Sequence, residues 1–334
     1  MAGPDASPGS GGMDTDQPPF TTVQLPARVQ GAFAVPHPFP YQGSKRGIAG
    51  QILPYFPRQV DRLIEPFCGS GAISVAAASF ELARCFWLND LNAPLMKLWR
   101  AILERPHELV ANYEVLWKEQ APDRKEFFLH IRREFNDSHQ PHHLLYLLAR
   151  IVKGSVRYGR DGSFNQSPDN RRAGMRPATM RRQILGVSGR LAGKTRLTAM
   201  DYRQVVGEAE SSDLVYLDPP YQGTSVSRDR RYCSGVRFDE LVGALRGMNE
   251  RRIPFIVSYD GSTGNKNHGR ALPEHLGLER LLIRAGVSSQ SVLLGNPAET
   301  VESLYLSPAL MRRLATEIRP ASRVGPDIQR SLFA

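Results

Sequence analysis

Four consecutive residues, Asp218, Pro219, Pro220 and Tyr221, carry the most specific chemistry in this 334-residue chain. The apolar run over residues 213–217 predicts a buried strand, which the two prolines end because proline cannot extend a sheet ladder. A carboxylate and a carbonyl at that strand end can accept both hydrogens of an exocyclic amino group, while the tyrosine ring stacks on the base. The pattern predicts a site for a planar base with an amino group. The alternative is an ordinary strand that ends in a proline turn.

A strand, a glycine turn and a helix are predicted further upstream. Residues 62–67 read as a strand, residues 68–71 (Cys-Gly-Ser-Gly) as a tight turn, and residues 72–80 as a helix of small apolar residues. This order is the start of a Rossmann-like unit, in which glycines let a ligand approach the backbone closely. No complete GxGxxG pattern is present, which disfavours a dinucleotide site.

Asp90 follows a second predicted strand over residues 83–88 and lies 21 residues after Gly69. An acidic residue at this distance from a glycine turn reaches ribose hydroxyls at the end of the second strand. The alternative for Asp90 is a cap on the helix that follows.

Tyr41 and Lys45 flank a glycine turn ahead of a helix predicted over residues 46–53. The tyrosine can stack on a cofactor, and the lysine can pair with a carboxylate such as that of methionine. The alternative is an ordinary loop with Ser44 as the helix N-cap.

Taken in chain order, these segments resemble the amino-methylating DNA methyltransferases, specifically the Dam-like adenine-N6 group (the alpha group, or D12 class). The resemblance covers roughly residues 36–310. Its motifs are Tyr41-Gln42-Gly43-Ser44-Lys45, Glu65-Pro66-Phe67-Cys68-Gly69-Ser70-Gly71, Asn89-Asp90-Leu91-Asn92, Arg157-Tyr158 with Gly162-Ser163-Phe164-Asn165, and Asp218-Pro219-Pro220-Tyr221. Tyr41 departs from the tryptophan that the group commonly carries, but it preserves the capacity to stack.

The resemblance implies an α/β fold. It has a Rossmann-like methyltransferase domain with a mixed seven-stranded sheet and a C-terminal β-hairpin, plus an inserted, mostly helical DNA-recognition domain. It implies S-adenosylmethionine as cofactor, double-stranded DNA as substrate, and a monomer that is cytoplasmic and nucleoid-associated. A cognate restriction endonuclease is a further partner that the resemblance leaves open.

The same resemblance assigns the site residues. Those it implies to be catalytic are Asp218, Pro219, Pro220 and Tyr221. Those it implies for cofactor binding are Tyr41, Lys45, Phe67, Gly69, Gly71, Asp90, Asp201, Tyr202 and Asp218. Because the sulfonium of the cofactor is already activated, positioning and electrostatics supply most of the catalysis and no metal is expected.

The positive charge of the chain is concentrated in one segment. The formal net charge is +10, and residues 150–196 hold twelve Lys and Arg against two acids, which also gives +10. A basic segment between near-neutral flanks is typical of a phosphate-binding surface, although a solvated arginine-rich loop would look similar. The candidate DNA contacts are Arg157, Tyr158, Asn165, Arg171, Arg172 and Arg176.

The predicted domain organisation follows from these motifs. Residues 1–30 and 319–334 are predicted as tails, residues 36–95 and 195–315 as the methyltransferase domain, and residues 96–190 as the inserted recognition domain. Within the insertion, apolar residues recur at helical spacing. A closing hairpin is predicted from residues 291–294 and 302–306, joined by Gly-Asn-Pro.

Composition excludes several classes of protein. At 41% hydrophobic residues the chain can build a core, yet it has no signal-peptide pattern and no apolar run near the roughly 18 residues of a membrane span. Three cysteines without metal-ligand spacing argue against both a disulfide framework and a metal site. The cluster of His139, His142 and His143 lacks acidic or cysteine partners, so we interpret it as structural or solvent-facing.

Three alternative functions stay open at this point. A cytosine-N4 methyltransferase shares the chemistry, although that group more often carries serine at position 218. An RNA base methyltransferase has similar motifs. A catalytically silent DNA-binding regulator would belong to a different class, and the intact Tyr41, Lys45, Asp90 and Asp218 argue against it.

Overall fold

The computed structural model describes residues 35–154, 156–220, 236–263, 266–287 and 299–318. Tyr221, the two predicted tails and the first half of the predicted hairpin, residues 291–297, lie outside these described residues.

A mixed sheet forms the centre of the fold. Its strands are β1 (Val60–Glu65), β2 (Ala83–Asn89), β3 (Thr195–Thr198), β4 (Leu214–Leu217), β5 (Phe255–Thr263), β6 (Lys266–His268), β7 (Glu279–Val287) and β8 (Glu299–Leu306). Seven of them run in the order β3-β2-β1-β4-β5-β8-β7, and β6 pairs with β5 beside this path. The predicted α/β fold with a seven-stranded mixed sheet is therefore confirmed.

The directions and order of the strands indicate where a ligand crevice lies. β1 to β5 pair in parallel, whereas β8 pairs antiparallel with both β5 and β7. Along the chain the strand order moves from β1 towards β3 and then reverses to β4 and β5. Ligands of open α/β sheets bind at such a reversal, beyond the carboxyl ends of the strands.

Helices cover both faces of the sheet. They are α1 (Ala49–Ile52), α2 (Ala72–Ser79), α3 (Ala93–Glu104), α4 (Pro106–Glu119), α5 (Arg124–Ser138), α6 (Pro141–Arg150), α7 (Pro177–Leu191), α8 (Tyr202–Gly207), α9 (Phe238–Glu250) and α10 (Pro308–Ile318). Helices α1 to α7 and α10 pack on one face, and α8 and α9 on the other. Consecutive side chains of one strand pack on opposite faces of the sheet, as those of Leu63 and Ile64 do in β1.

Local sequence signals explain where the helices begin. The Asn92 side chain accepts a hydrogen bond from Leu95 N at 3.2 Å and caps α3. The Asp123 carboxylate accepts from two backbone N–H groups, each at 3.0 Å, and caps α5. Proline occupies the first turn of α3, α4, α6 and α7, where its missing N–H costs no helical hydrogen bond.

Two predicted elements differ from the structure. The helix predicted over residues 46–53 is interrupted: a 3₁₀ turn over Lys45–Gly47 precedes the four-residue α1, and a second 3₁₀ turn follows. Glycine and proline in this stretch disfavour a continuous helix. Ser44 makes no capping hydrogen bond; its hydroxyl accepts from Ser70 Oγ at 2.9 Å.

β7 and β8 form an antiparallel pair at the C-terminal end of the sheet, whereas the strand predicted over residues 291–294 lies outside the described residues. β7 was missed because its sequence, Glu-Arg-Leu-Leu-Ile-Arg-Ala-Gly-Val, does not alternate cleanly between apolar and polar residues. It lies at the edge of the sheet, where Leu282 is 68% exposed and Ile283 pairs with Glu302.

The segment predicted as an insertion is mostly helical, as expected, and contains α4 to α7 with most of α3. Its buried side chains belong to the same apolar cluster as one face of the sheet, so Leu98, Ile184 and Leu63 share a core. The domain limits at residues 96 and 190 stay a prediction, since no separate core marks them. Among the described residues, none of the helices has the length and apolar character needed to cross a membrane.

Candidate active site at the carboxyl ends of the parallel strands

Asp218 lies directly after β4 and belongs to a buried charge cluster. Lys45 Nζ is 3.0 Å from Asp218 Oδ1 and 3.3 Å from Glu302 Oε2. The lysine side chain is only 6% exposed, and those of Asp218 and Glu302 are 21% and 19% exposed. An ammonium shared by two carboxylates at this depth fixes the Asp218 carboxylate in place.

The surroundings of Asp218 also tune its acidity. Burial raises the pKa of Asp218 to about 6, the negative charge of Glu302 acts in the same direction, and Lys45 opposes both. The carboxylate is therefore ionised at neutral pH and can act as a hydrogen-bond acceptor. Pro219 beside it is buried, whereas Pro220 is exposed.

The glycine turn between β1 and α2 leaves no room for larger residues. Gly69 and Gly71 have φ angles of +46° and +58°, which disfavour L side chains. A Cβ at Gly69 would lie 3.0 Å from the Tyr41 ring, and one at Gly71 would lie 2.7 Å from the Trp99 ring. The Trp99 indole N–H donates to Gly69 O at 2.9 Å and holds the turn from below.

Asp90 fixes this turn from the end of β2. Its Oδ2 accepts from Gly69 N at 3.1 Å, and its Oδ1 accepts from Asn92 N at 3.0 Å. Burial raises the pKa of Asp90, and the two backbone donors counteract that rise. Since each carboxylate oxygen has a second lone pair, Asp90 retains the capacity to accept from ribose hydroxyls.

Asn89 was missed by sequence reasoning as part of the site. Its fully buried side chain donates to Pro66 O at 2.9 Å and to Met200 O at 3.0 Å. The same side chain accepts from Thr198 Oγ1 and Met200 N at 2.8 and 2.9 Å. One amide thus joins the carboxyl ends of β1, β2 and β3, a tertiary role with no signal in the local sequence.

Aromatic rings line the crevice on both sides of the turn. Tyr41 packs over Gly69, and burial followed by the charge of Asp90 raises the pKa of its hydroxyl well above the usual value. The Phe67 and Tyr202 ring centroids are 5.0 Å apart at an interplanar angle of 35°. Within the described residues, the buried Tyr202 hydroxyl has no hydrogen-bond partner.

Asp201 has local partners in the structure. It caps α8 by accepting from Arg203 N at 2.9 Å, and its carboxylate also binds the Arg203 side chain at 2.9 and 3.0 Å. If Asp201 binds the cofactor, as the resemblance implies, its carboxylate does so while it also binds Arg203.

The candidate DNA contacts fall into two groups. Asn165, Arg171, Arg172 and Arg176 are exposed, and Arg157 is half-buried. Tyr158 is only 6% exposed; its ring packs on Phe164 at 5.8 Å and its hydroxyl lies 3.5 Å from the Asn92 amide. The Tyr158 ring is therefore enclosed by the protein in the described conformation, and its predicted contact with DNA stays a prediction.

The residues at the strand ends suit S-adenosylmethionine. Gly69 and Gly71 keep Cβ atoms out of a tightly packed turn at the end of β1, and Asp90 follows Gly69 by 21 residues, the spacing in sequence expected of a residue that binds a ribose. The aromatic pair of Phe67 and Tyr202 offers faces for a purine, and the unpartnered Tyr202 hydroxyl offers a polar contact.

Comparison with known proteins agrees with this geometry. The family of D12 class N6 adenine-specific DNA methyltransferases matches residues 41–285, which is more than half of the chain. The chain belongs to this family.

Individual relatives share between 21% and 27% of their residues with this chain over the matched parts. The DNA N-6-adenine-methyltransferase of Escherichia phage P1 is 27% identical over 234 residues, which are 67% of this chain and 30% of the phage protein. The DNA adenine methylase of Serratia marcescens is 27% identical over 191 residues, covering 56% of this chain and 67% of that protein. The Type II methyltransferase M.FokI of Planomicrobium okeanokoites is 21% identical over 230 residues, covering 66% and 35%. The matched part of the chain thus spans about a third of the phage protein and of M.FokI.

Proposed function

We propose that this protein transfers a methyl group from S-adenosylmethionine to the N6 amino group of adenine at specific sites in double-stranded DNA. The observation that carries the proposal is the half-buried Asp218 at the end of β4. Lys45 holds it at 3.0 Å, and it lies at the same end of the sheet as the glycine turn. Family membership supports the same activity. We further propose that the protein acts as a monomer.

The proposed chemistry is activation of a poor nucleophile. The N6 lone pair of adenine is delocalised into the ring, so the nitrogen needs help to attack. Asp218 Oδ2 and the Pro219 carbonyl accept its two hydrogens and favour a pyramidal nitrogen with an available lone pair. S-adenosylmethionine supplies a methyl group on a sulfonium that is already activated for in-line transfer.

Residues of this chain position the cofactor and the adenine amino group relative to each other. The glycine turn, Asp90 and the Phe67–Tyr202 pair fix the cofactor crevice, while Asp218 fixes the amino group. Proximity of this kind accounts for much of the rate of group-transfer enzymes. A base inside a duplex cannot reach the strand end, so the adenine must leave the stack, and we assign Tyr221 to stack on it.

The basic segment supports DNA as the substrate, and it yields a prediction. Replacing the exposed Arg171 and Arg172 with alanine should weaken DNA binding and reduce the slope of log affinity against log salt by roughly 0.9 for each lost phosphate contact. Titrating a fluorescent duplex at several salt concentrations measures both quantities, and the affinity for S-adenosylmethionine should barely change.

A matched control removes the same charge elsewhere. Arg58 and Arg84 are exposed at the amino ends of β1 and β2, opposite the candidate site. The double alanine variant of these two should keep the parental salt slope. An Arg171/Arg172 variant with unchanged affinity and slope would place the DNA-binding surface elsewhere.

The target base is tested by analysis of nucleosides. DNA from cells without methylation is treated with the protein and S-adenosylmethionine, digested and analysed by mass spectrometry. We expect N6-methyladenine and no N4-methylcytosine, because the aspartate at position 218 and the family both favour a purine. Methyl groups on cytosine alone would overturn the substrate while leaving the mechanism of amine activation standing.

A further inference from the structure

Glu302 is the second carboxylate at the Lys45 ammonium, and the proposed reaction assigns it no role. It lies on β8, separated from β4 by β5, and pairs with Gly261 of that strand. The register of β5 against β8 shifts between Ser258 and Gly261, a β-bulge that re-aims the side chains around it. This irregularity lies beside the strand end that carries Asp218.

We propose that Glu302 is a positioning residue that holds the Lys45 ammonium and keeps the charge of the Asp218 pocket negative. The proposal rests on the proposed function, since it concerns the same reaction. The ammonium lies between the two carboxylates, 3.0 Å from Asp218 Oδ1 and 3.3 Å from Glu302 Oε2.

The two oxygens of the Asp218 carboxylate have different partners in this arrangement. A lysine side chain is long and flexible, and a second carboxylate limits where its ammonium rests. Lys45 approaches Oδ1 of Asp218, which leaves Oδ2 for the amino hydrogen of the base. Without Glu302, the ammonium can move across the Asp218 carboxylate and compete for both oxygens.

The charge of the cluster suits the reaction. Two carboxylates and one ammonium sum to −1, whereas Lys45 and Asp218 alone would be neutral. The amino nitrogen becomes positively charged as it bonds the methyl carbon and the carbon–sulfur bond of the sulfonium breaks to leave a neutral thioether. It stays charged until one of its two hydrogens leaves as a proton to the Asp218 carboxylate, and a fixed negative charge nearby stabilises that state. Glu302 therefore supplies the charge that Lys45 would otherwise cancel.

Two charged groups from different elements act on the ionisation of Asp218, namely Lys45 from the 3₁₀ turn before α1 and Glu302 from β8. The buried Glu65 of β1 is also coupled to this cluster, because the charge of Asp218 contributes to raising the pKa of Glu65. Burial and Glu302 raise the pKa of Asp218 to about 6, and Lys45 lowers it. Because the ionised carboxylate is the active form, removing Glu302 should move the acid limb of the rate to lower pH, and removing Lys45 should move it to higher pH.

The test compares the full-length parent with Glu302→Gln, Glu302→Asp and the exposed control Glu250→Gln. Methyl transfer to a DNA duplex is measured over about pH 5 to 8, a range that brackets the Asp218 pKa of about 6. Rates are divided by the fraction of folded protein, taken from thermal melting of each variant.

For Glu302→Gln we expect kcat to fall by about tenfold, the lower end of the loss that follows removal of a hydrogen-bonding partner behind a metal ligand, where the partner likewise acts through another residue. The KM for DNA should stay close to the parental value and the acid limb should move to lower pH. Glu302→Asp should restore the position of the acid limb, and Glu250→Gln should match the parent. An unchanged kcat, or a fall in kcat with an unmoved acid limb, overturns the role of Glu302. A parent that transfers no methyl group overturns the proposed function and this inference together.

Discussion

Asp218→Ala is expected to reduce methyl transfer by about 10²–10³-fold or more, the loss seen when a preorganised electrostatic contact to a reacting group is removed. The variant loses the carboxylate that accepts the amino hydrogen, and no other described side chain can replace it at the end of β4. Folding should be retained because the residue follows the strand and is 21% exposed. Initial rates and melting temperatures of the variant and the parent measure the two effects separately.

Asp213 at the other end of β4 provides the matched control. Its buried carboxylate pairs with Arg62 at 2.7 Å and accepts from Glu210 N at 2.7 Å, but it lies far along the strand from the site. Asp213→Ala should lower the melting temperature while folded molecules keep most of their activity. Near-parental activity in a folded Asp218→Ala protein would sink the assigned mechanism.

Gly71→Ala is expected to destabilise the fold by about 2–5 kcal/mol, combining left-handed backbone strain with overpacking of the core. Its φ is +58°, and the new Cβ would lie 2.7 Å from the Trp99 ring. Trp99 also holds Gly69 O, so its displacement disturbs the glycine turn directly. We expect a lower melting temperature together with weaker binding of S-adenosylmethionine, both measurable on the purified variant.

Gly193→Ala separates strain from crowding. Gly193 has a φ of +76°, yet a Cβ there would meet nothing within 4 Å. It should cost only about 1–2 kcal/mol from backbone strain and leave cofactor affinity unchanged. Equal losses of stability and of cofactor affinity in both variants would show that contact with Trp99 has no part in shaping the turn.

The parallel half of the sheet was predictable because its strands are short apolar runs that end in chemically distinctive residues. β1, β2 and β4 were placed within two residues at each end, and Asp90 and Asp218 lie at strand ends as expected. β7 was missed because the apolar Leu282 is 68% exposed on this edge strand, so the run Leu281-Leu282-Ile283 hides the alternation between the two faces. The interrupted α1 shows how glycine and proline override a helical pattern.

Site residues could be predicted only where a single sequence motif indicates both their place in the fold and their chemical role. Lys45 and Asp218 stand out in the sequence, but their pairing with each other depends on how the loop before α1 folds over the sheet. The contact of Glu302 with Lys45 and the links that Asn89 makes between strands could not be predicted, because their partners are distant in sequence. Tyr158 was predicted as a DNA contact because its sequence neighbours are basic, but its ring is buried against Phe164.

The most direct test of the central claim maps methylated bases in a host that lacks DNA methylation. The parent protein and Asp218→Ala are expressed in separate cultures, and single-molecule sequencing of the host DNA identifies each modified base and its sequence context. We predict N6-methyladenine at a defined sequence in cells with the parent, and none above background in cells with Asp218→Ala. Unmodified adenines in cells that contain the folded parent, or equal methylation in both cultures, would contradict the account.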